Sequence, residues 1–444
     1  MGTMLDVLGI GFGPANIALA VSLEELYPRM TSEFLEAQST ATWQPGMLLD
    51  GSDIQNHPLR DLVTPRNPQS RYTFVNYLHQ NNRLFEFLNL GVTYPLRKEY
   101  SRYIEWVAQH FGNRVTYGMT VVELRSTRLP ASKGPHYEVV TEDGTLRLCR
   151  ALVVAPGRTA LIPREFESIL GERVFHLTEY LSRIQSIASK RNFNRILVVG
   201  ASQSAVEIVI DLSSRLPEIE IVNVMRSFGY QLKDTSPFSE RVYFPEFVDY
   251  FYRSKLHSRQ TLTDELRRTN YSSADADVIN QLYRRIYEQK LDGKQQIFIL
   301  SNYDIIAAQI EDEKVVLTMR EKHRGTIATE RVDAVVLATG FRNLGPGDNE
   351  EKCPRLLQSL CHHFKLNNDG TLCVNYDYSL ETTGDVAPIY LNGLCESSHG
   401  LGDAGSFSLL ALRSATIVKS LAKRLSEEAK SPLVIGSMAL KSGT

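Results

Sequence analysis

Short apolar runs that stop at glycine, each followed by apolar residues at helical spacing, set the pattern of this chain. Residues 5–9 form a mainly apolar run ending at Gly9, and 15–26 repeat apolar positions every three or four residues. Residues 33–36 then read as a second short strand, closed by the acid Glu36. The same plan returns about 190 residues later: a strand over 195–200, a turn and helix from 201 to about Arg215, and a strand over 219–225 that ends at Arg226. Two further apolar runs, 151–157 and 334–340, also finish in small residues. Residues 250–287 are rich in Arg and Tyr and predict helix, interrupted at Asn270 and Tyr271. Loops are expected at 130–135 and 345–353, and an apolar-periodic helix at 408–425.

With 444 residues, 43% of them apolar, the chain has material for two or three domains at roughly 100–200 residues each. Its 49 basic and 51 acidic residues nearly cancel, leaving a formal charge of −2 and no polyanion-binding character, so no nucleic acid is expected. The five cysteines are scattered without a C-x-x-C pair, which fits free thiols in a reducing compartment. Cys361-His362-His363 has no second ligand cluster, so no metal is expected. No apolar run reaches the ~18 residues of a membrane span, and the first strand begins at once, leaving no room for a secretory signal. A cytoplasmic protein without membrane attachment is the expectation.

Gly9-x-Gly11-x-x-Pro14 follows a strand and opens a helix, the context of a dinucleotide cradle. One glycine allows the tight turn, the next lets the backbone approach a pyrophosphate, and the helix N-terminus favours the anion. Glu36, 27 residues after Gly9, is the candidate acceptor for a ribose hydroxyl, slightly beyond the usual ~20. The second turn, Gly200-x-Ser202-x-x-Ala205, lacks the middle glycine, and its second strand is followed by the cation Arg226, which suits a 2′-phosphate. These turns predict an α/β chain with two Rossmann-like domains, one for FAD and an inserted one for NADPH, with a small, mainly helical substrate region. The boundaries expected are 1–170 for the first part of the FAD-binding domain, 171–235 and 285–325 for the NADPH-binding domain, 236–284 for the helical region and 326–444 for the second FAD-binding part.

The stretch "TWQPGMLLDGSDIQNHPLRDLVTPRNPQSRYTFVNYLHQNN" from Thr42, with "DTSPF" at Asp234, "FPEFVDYFY" at Phe244, "TNYS" at Thr269, "LATGF" at Leu337 and "SHGLGD" at Ser398, resembles the flavin-dependent N-hydroxylating monooxygenases of siderophore biosynthesis. These are the ornithine, lysine and diamine N-hydroxylases, and the resemblance covers nearly the whole chain; Pro14 in place of a third glycine is itself typical of them. It implies that NADPH reduces FAD, that molecular oxygen adds to give a C4a-hydroperoxyflavin shielded by bound NADP, and that the neutral terminal amine of a small basic substrate attacks its distal oxygen. A homo-oligomer, dimer or tetramer, is implied as well.

The resemblance assigns residues by position. Gly9, Gly11, Gly13, Pro14 and Asn16 would line the FAD pyrophosphate and Glu36 the ribose. Trp43 and Gln44 would cover the flavin, Gln55 would face its ring and the reaction centre, and Val121 would meet the adenine end. Asp403, Ser406 and Phe407 are further cofactor candidates. Ser202, Gln203 and Ser204 would meet the NADPH pyrophosphate, and Arg226 its 2′-phosphate. Asn270 and Tyr271 would touch the nicotinamide side, Asn270 also the substrate, with Gln55 and Asn270 the candidate catalytic pair. Arg60, Glu240, Asn270 and Ser408 are the substrate candidates.

Four features depart from the family: Arg60 where a Lys is usual, Glu240 where an Asn is usual, one residue more between Asp403 and Arg413, so that aligning back from Arg413 puts Ser408 at the substrate–flavin seam, and Ser202 for the middle glycine. Arg60 offers a bidentate partner to a carboxylate. Glu240 favours a second cation on the substrate, and this tilts the expectation from ornithine or lysine towards a decarboxylated amine such as putrescine, cadaverine or histamine. A Baeyer–Villiger or sulfur-oxidising flavoprotein shares the two-nucleotide plan, but "FHLTEYL" at Phe175 is only a trace of its F-x-G-x-x-x-H-x-x-x-W fingerprint. A non-catalytic flavin or NADP redox sensor would bind cofactor without amine-dependent product.

Overall fold

The structure is a computed structural model and describes residues 3–128, 134–188 and 193–430; most of the loop expected at 130–135 lies outside them. Two five-stranded parallel sheets organise the chain. The first runs Ile389–Leu391, Leu152–Val154, Val7–Ile10, Ser32–Glu36, Val115–Tyr117 in spatial order. The second runs Ile297–Ser301, Glu220–Met225, Arg195–Val199, Ala334–Leu337, Val174–His176. Parallel strands need crossovers that cover the sheet faces, so their strands read as continuous apolar runs. All four residues of Val7–Ile10 are buried accordingly. In the second sheet Ile196 and Val198 enter one core and Leu197 the other, the period-two alternation of a strand buried on both sides.

Each sheet carries an antiparallel three-stranded flap: Val121–Thr127, His136–Thr141 and Leu146–Cys149 beside the first, Tyr303–Glu311, Lys314–Glu321 and Ile327–Val332 beside the second. The helix Pro14–Leu26 packs against the C-terminal helix Leu410–Lys430, which is longer than the expected 408–425 because its polar end is still a good helix former. The Arg- and Tyr-rich region resolves into Pro245–Arg253, Leu256–Leu266 and Ala276–Leu291, with Asn270 and Tyr271 in the break. Among the described residues no helix is long and apolar enough to cross a membrane.

Sheet membership shifts the expected boundaries. Ala334–Leu337 is a strand of the second sheet and Ile327–Val332 belongs to the antiparallel flap beside it, so the chain is still in the second unit beyond 326. The two crossings lie side by side, Thr159–Ala160 pairing antiparallel with Phe341–Arg342. The following segment Arg164–Ile169 already packs on the second core through Phe166, so the first crossing comes before 170. The run Ala-Val-Val-Leu fits either sheet by composition; only its register against Ile196–Val199 assigns it.

Candidate active site

The first turn is built for a bare backbone. Gly11 has φ +83°, and a Cβ there would lie 2.2 Å from the Ala155 carbonyl oxygen. Gly9 is small for another reason, since a Cβ would strike the Phe34 ring at 2.2 Å. Gly13 caps the helix Pro14–Leu26 in an extended conformation with no side-chain cap, and open space surrounds its Cα. The leading N–H groups of that helix are therefore left for an anion. Glu36 ends the adjacent strand and accepts the N–H of Phe12 at 2.6 Å on one oxygen and of Gln38 at 2.8 Å on the other. Each oxygen retains acceptor capacity for a hydroxyl. Met119, whose N–H donates to the Glu36 carbonyl at 2.8 Å, brings Val121 to the same end of the sheet.

Two expected liners turn inward. The Asn16 side chain is fully buried, donates to Gly11 O at 2.7 Å and accepts from Asn392 Nδ2 at 3.0 Å. Asn392 in turn accepts from Arg413 Nε at 2.8 Å. Arg413 also donates to Asp403 Oδ1 at 2.8 Å, while Asp403 Oδ2 accepts the Cys395 N–H at 2.7 Å. The side chains of Asn16 and Asp403 thus brace the turn from behind instead of lining it, because a buried amide and a buried carboxylate must both be satisfied.

The segment after the second strand lies over the junction. Trp43 packs edge-on against Phe407 (ring centroids 4.9 Å), and Phe407 against Tyr100 at the same distance. Gln44 is exposed in a left-handed conformation, φ 48°. Gln55 also has a positive φ, 52°, a conformation that persists only when its surroundings enforce it. Its N–H donates to Asp53 Oδ1 at 2.8 Å, and its side-chain amide donates to Asp275. The Asp275 N–H donates to Gln203 Oε1 at 2.9 Å, and Gln203 Nε2 to Glu207 Oε1 at 3.0 Å. Burial, then the nearby Asp275 and Glu207 carboxylates, push the Asp53 carboxyl up to about 6.

The second turn repeats the backbone logic. Gly200 has φ +142°, and a Cβ would lie 2.4 Å from Ala338 O. Ser202 caps the helix Gln203–Arg215 with no side-chain bond to it, but the Gln203 N–H donates to Ser273 O at 3.0 Å and the Ala205 N–H to Ser202 O at 2.9 Å, so this helix start offers an anion fewer N–H groups than the first. A cleft of about 1210 Å³ is lined by Gly200, Ser202, Arg226, Arg267, Tyr271 and Thr339, among others. Ser202 and Arg226, far apart in sequence, thus share one groove. Gln203 and Ser204 do not line it; the Gln203 amide is spent on Asp275 and Glu207.

At the seam between the units, the Asn270 amide donates to Leu401 O at 3.1 Å. The Tyr271 hydroxyl accepts from Arg158 Nη1 at 2.9 Å and donates to Glu396. Glu396 also accepts from Asn343 Nδ2 at 2.6 Å and from the Gly405 N–H at 3.0 Å. Burial pushes this carboxyl up to about 7, against the opposing pull of Arg158. Sequence reasoning missed Arg158, Asn343 and Glu396. The only signal was their place just after the Ala-Pro-Gly turn, just after the Leu-Ala-Thr-Gly turn, and just before Ser398-His399.

Arg60 and Glu240 face each other, Nη2 to Oε2 3.9 Å, with the Arg60 guanidinium 5.7 Å from the Tyr243 ring centre. Tyr243 donates to Thr269 O at 2.9 Å, next to Asn270. Buried Ser408 donates to Asn56 Oδ1 at 3.2 Å, Asn56 donates to Arg60 O at 2.7 Å, and Ser406 donates to Ser408 Oγ at 3.0 Å. All four substrate candidates therefore belong to one connected neighbourhood. Ser398 and His399, 2.8 Å apart, are buried with the imidazole stacked on Tyr378, a packing role.

The family described as L-lysine 6-monooxygenase/L-ornithine 5-monooxygenase matches residues 3–343. The L-ornithine N(5)-monooxygenase of Burkholderia cepacia is 39% identical over 410 residues, 90% of each chain. The ornithine N-hydroxylase of Kutzneria sp. 744, solved with reduced FAD, NADP+ and L-ornithine, superposes with a TM-score of 0.88 at 32% identity, over 95% of this chain and 100% of that one. The L-lysine 6-monooxygenase of Pseudomonas syringae follows at 0.83 and 35%, over 94% and 99%.

Proposed function

This chain belongs to the L-lysine 6-monooxygenase/L-ornithine 5-monooxygenase family of FAD- and NADPH-dependent N-hydroxylases of siderophore biosynthesis, and we propose that its own substrate is an α,ω-diamino acid, L-ornithine ahead of L-lysine. The observation that carries this reading is the opposition of Arg60 and Glu240 at 3.9 Å. A guanidinium beside a carboxylate is complementary to the zwitterionic head of an amino acid, the first to its carboxylate and the second to its ammonium. A diamine seated on Glu240 would bring its ammonium close to Arg60 without a carboxylate of its own to offset the guanidinium. Unit charges ~4 Å apart in partly solvated surroundings interact by roughly 1–4 kcal/mol. That outweighs the tilt towards a diamine drawn from Glu240 alone.

The residues present fit both cofactors. Gly11 and Gly200 sit where any side chain would collide with a carbonyl across the turn, and both following helices begin without a side-chain cap. Gly11, Gly13 and Pro14 would hold the FAD pyrophosphate and Glu36 a ribose; Ser202 would hold that of NADPH, with Arg226 on its 2′-phosphate. When bound, NADPH supplies hydride to FAD, and the reduced flavin activates oxygen for transfer to nitrogen. The rest falls to the protein. Arg60 and Glu240 would orient the head group so that the distal amine reaches towards the seam at Asn270. Desolvation there favours the neutral amine, which alone has a lone pair to offer. Trp43 and Phe407, packed together, would keep water from the reacting face.

The experiment is a panel of L-ornithine, L-lysine, putrescine and cadaverine with NADPH and oxygen, scored by hydroxylamine formed. Ornithine is expected to give the highest kcat/KM by tenfold or more over either diamine. A diamine turned over as well as ornithine overturns the reading.

A further inference from the structure

The sulfurs of Cys353 and Cys361 lie 2.8 Å apart, less than an ångström longer than the ~2.05 Å of a disulfide bond. The two thiols bracket the start of one short helical segment. Cys361 belongs to the helical segment Arg355–His363, whose Leu357 and Leu360 are buried in the first core and whose Ser359 hydroxyl donates to Leu124 O at 3.3 Å. Cys353 follows the loop closed by the bridge between Leu344 and Glu351, with the Gly345 N–H on Glu351 O at 3.0 Å. Pro346, Gly347 and Asp348 of that loop line the cleft that holds Ser202 and Arg226. Both cysteines pack against the first core, and Cys353 also sits at the exit of the loop that forms the cleft wall.

The remaining cysteines are differently placed. Cys149 and Cys395 are buried, and Cys373 lies 3.2 Å from Asn367 Oδ1. Cys353 and Cys361 are both partly exposed, so a small oxidant can reach them. Burial and the Cys361 sulfur hold the Cys353 thiol well above its usual value, which keeps Cys353 protonated and slow to react with electrophiles of any size, peroxide included.

We propose that Cys353 and Cys361 are a peroxide-responsive dithiol that closes to an intramolecular disulfide. Hydrogen peroxide is the oxidant. One thiolate attacks a peroxide oxygen, breaking the O–O bond and forming a sulfenic acid, and the hydroxide released takes up the thiol proton to become water. The neighbouring sulfur then attacks the sulfenic sulfur; the S–S bond forms, the S–O bond breaks, and a second water leaves. Two thiols lose two electrons and two protons, and one peroxide becomes two waters.

The test uses the full-length FAD-loaded protein, treated with graded hydrogen peroxide, capped with iodoacetamide and mapped by peptide mass spectrometry. The expected product is a peptide pair linked through Cys353 and Cys361, lighter by two hydrogens and restored by dithiothreitol, with Cys149 and Cys395 still free. In Cys353→Ser, Cys361 lacks its resolving partner and should proceed to sulfinic acid at the same dose, and Cys361→Ser should expose Cys353 in the same way. Wild-type protein in which both thiols are recovered alkylated, or each becomes a sulfinic acid without a linked peptide, overturns the proposal.

Discussion

Arg97 and Glu207 meet as a buried pair across the two units, with nitrogen–oxygen contacts of 3.0 Å and side chains 8% and 5% exposed. Arg97 also donates to Met47 O at 2.8 Å and to Asp53 O at 3.0 Å, so it fastens the segment carrying Trp43 and Gln55 to the helix that opens the second cradle. Removing one partner leaves the other charge buried and unmatched. Glu207→Ala is expected to lower unfolding free energy by about 3–5 kcal/mol, and Glu207→Gln by less, because the amide keeps a bond to Arg97. Denaturant unfolding of the two variants beside the wild type measures the difference.

The two cradles are separable by one methyl group each. Gly11→Ala puts Cβ against Ala155 O in a left-handed backbone, and the purified protein is expected to lose its yellow colour. Gly200→Ala does the same against Ala338 O, and is expected to keep the flavin while raising the KM for NADPH. Visible absorbance and initial rates over an NADPH series distinguish the two outcomes.

Arg226 is exposed at the mouth of the cleft, at the end of the strand Glu220–Met225. Hydrogen bonds to a charged group contribute roughly 1.5–3 kcal/mol. Arg226→Ala should therefore raise the KM for NADPH by about 10- to 100-fold, at about 1.4 kcal/mol per factor of ten, and leave the KM for NADH nearly unchanged. Equal losses with both nucleotides would remove Arg226 from the 2′-phosphate.

Burial raises the Glu396 carboxyl from 4.5 to about 7, and Asp53 moves the same way, from 3.8 to about 6. The folded protein holds these protons where the unfolded chain has released them. Their contribution to stability is complete below about pH 4 and is lost as pH rises towards 7. Glu396→Gln keeps a donor and removes the titration, so the variant should lose less stability than wild type between about pH 4.5 and 7. Thermal unfolding of both proteins across that range checks the sign.

Much of the plan was legible because it rests on local rules. A strand, a glycine that admits a positive φ and an uncapped helix start are all within a dozen residues of one another, and Gly11 and Gly200 behave as such residues must. The site was legible in part. Arg60, Glu240, Asn270 and Ser408 do gather in one neighbourhood. Asn16, Asp403 and Gln203, chosen by position in a motif, spend their side chains on internal hydrogen bonds, which depend on partners such as Asn392, Arg413 and Asp275 that no local pattern reveals.

By itself the sequence determined that two nucleotide-type turns exist, which strands feed them, and that a cation follows the second, since backbone sterics and periodicity act over short distances. Tertiary structure alone decided that Ala334–Leu337 joins the second sheet, that Glu396 is sealed against Arg158 and Tyr271, that Arg60 confronts Glu240, and that Cys353 reaches Cys361. Charge complementarity and burial of this kind arise only when segments distant in sequence are brought together.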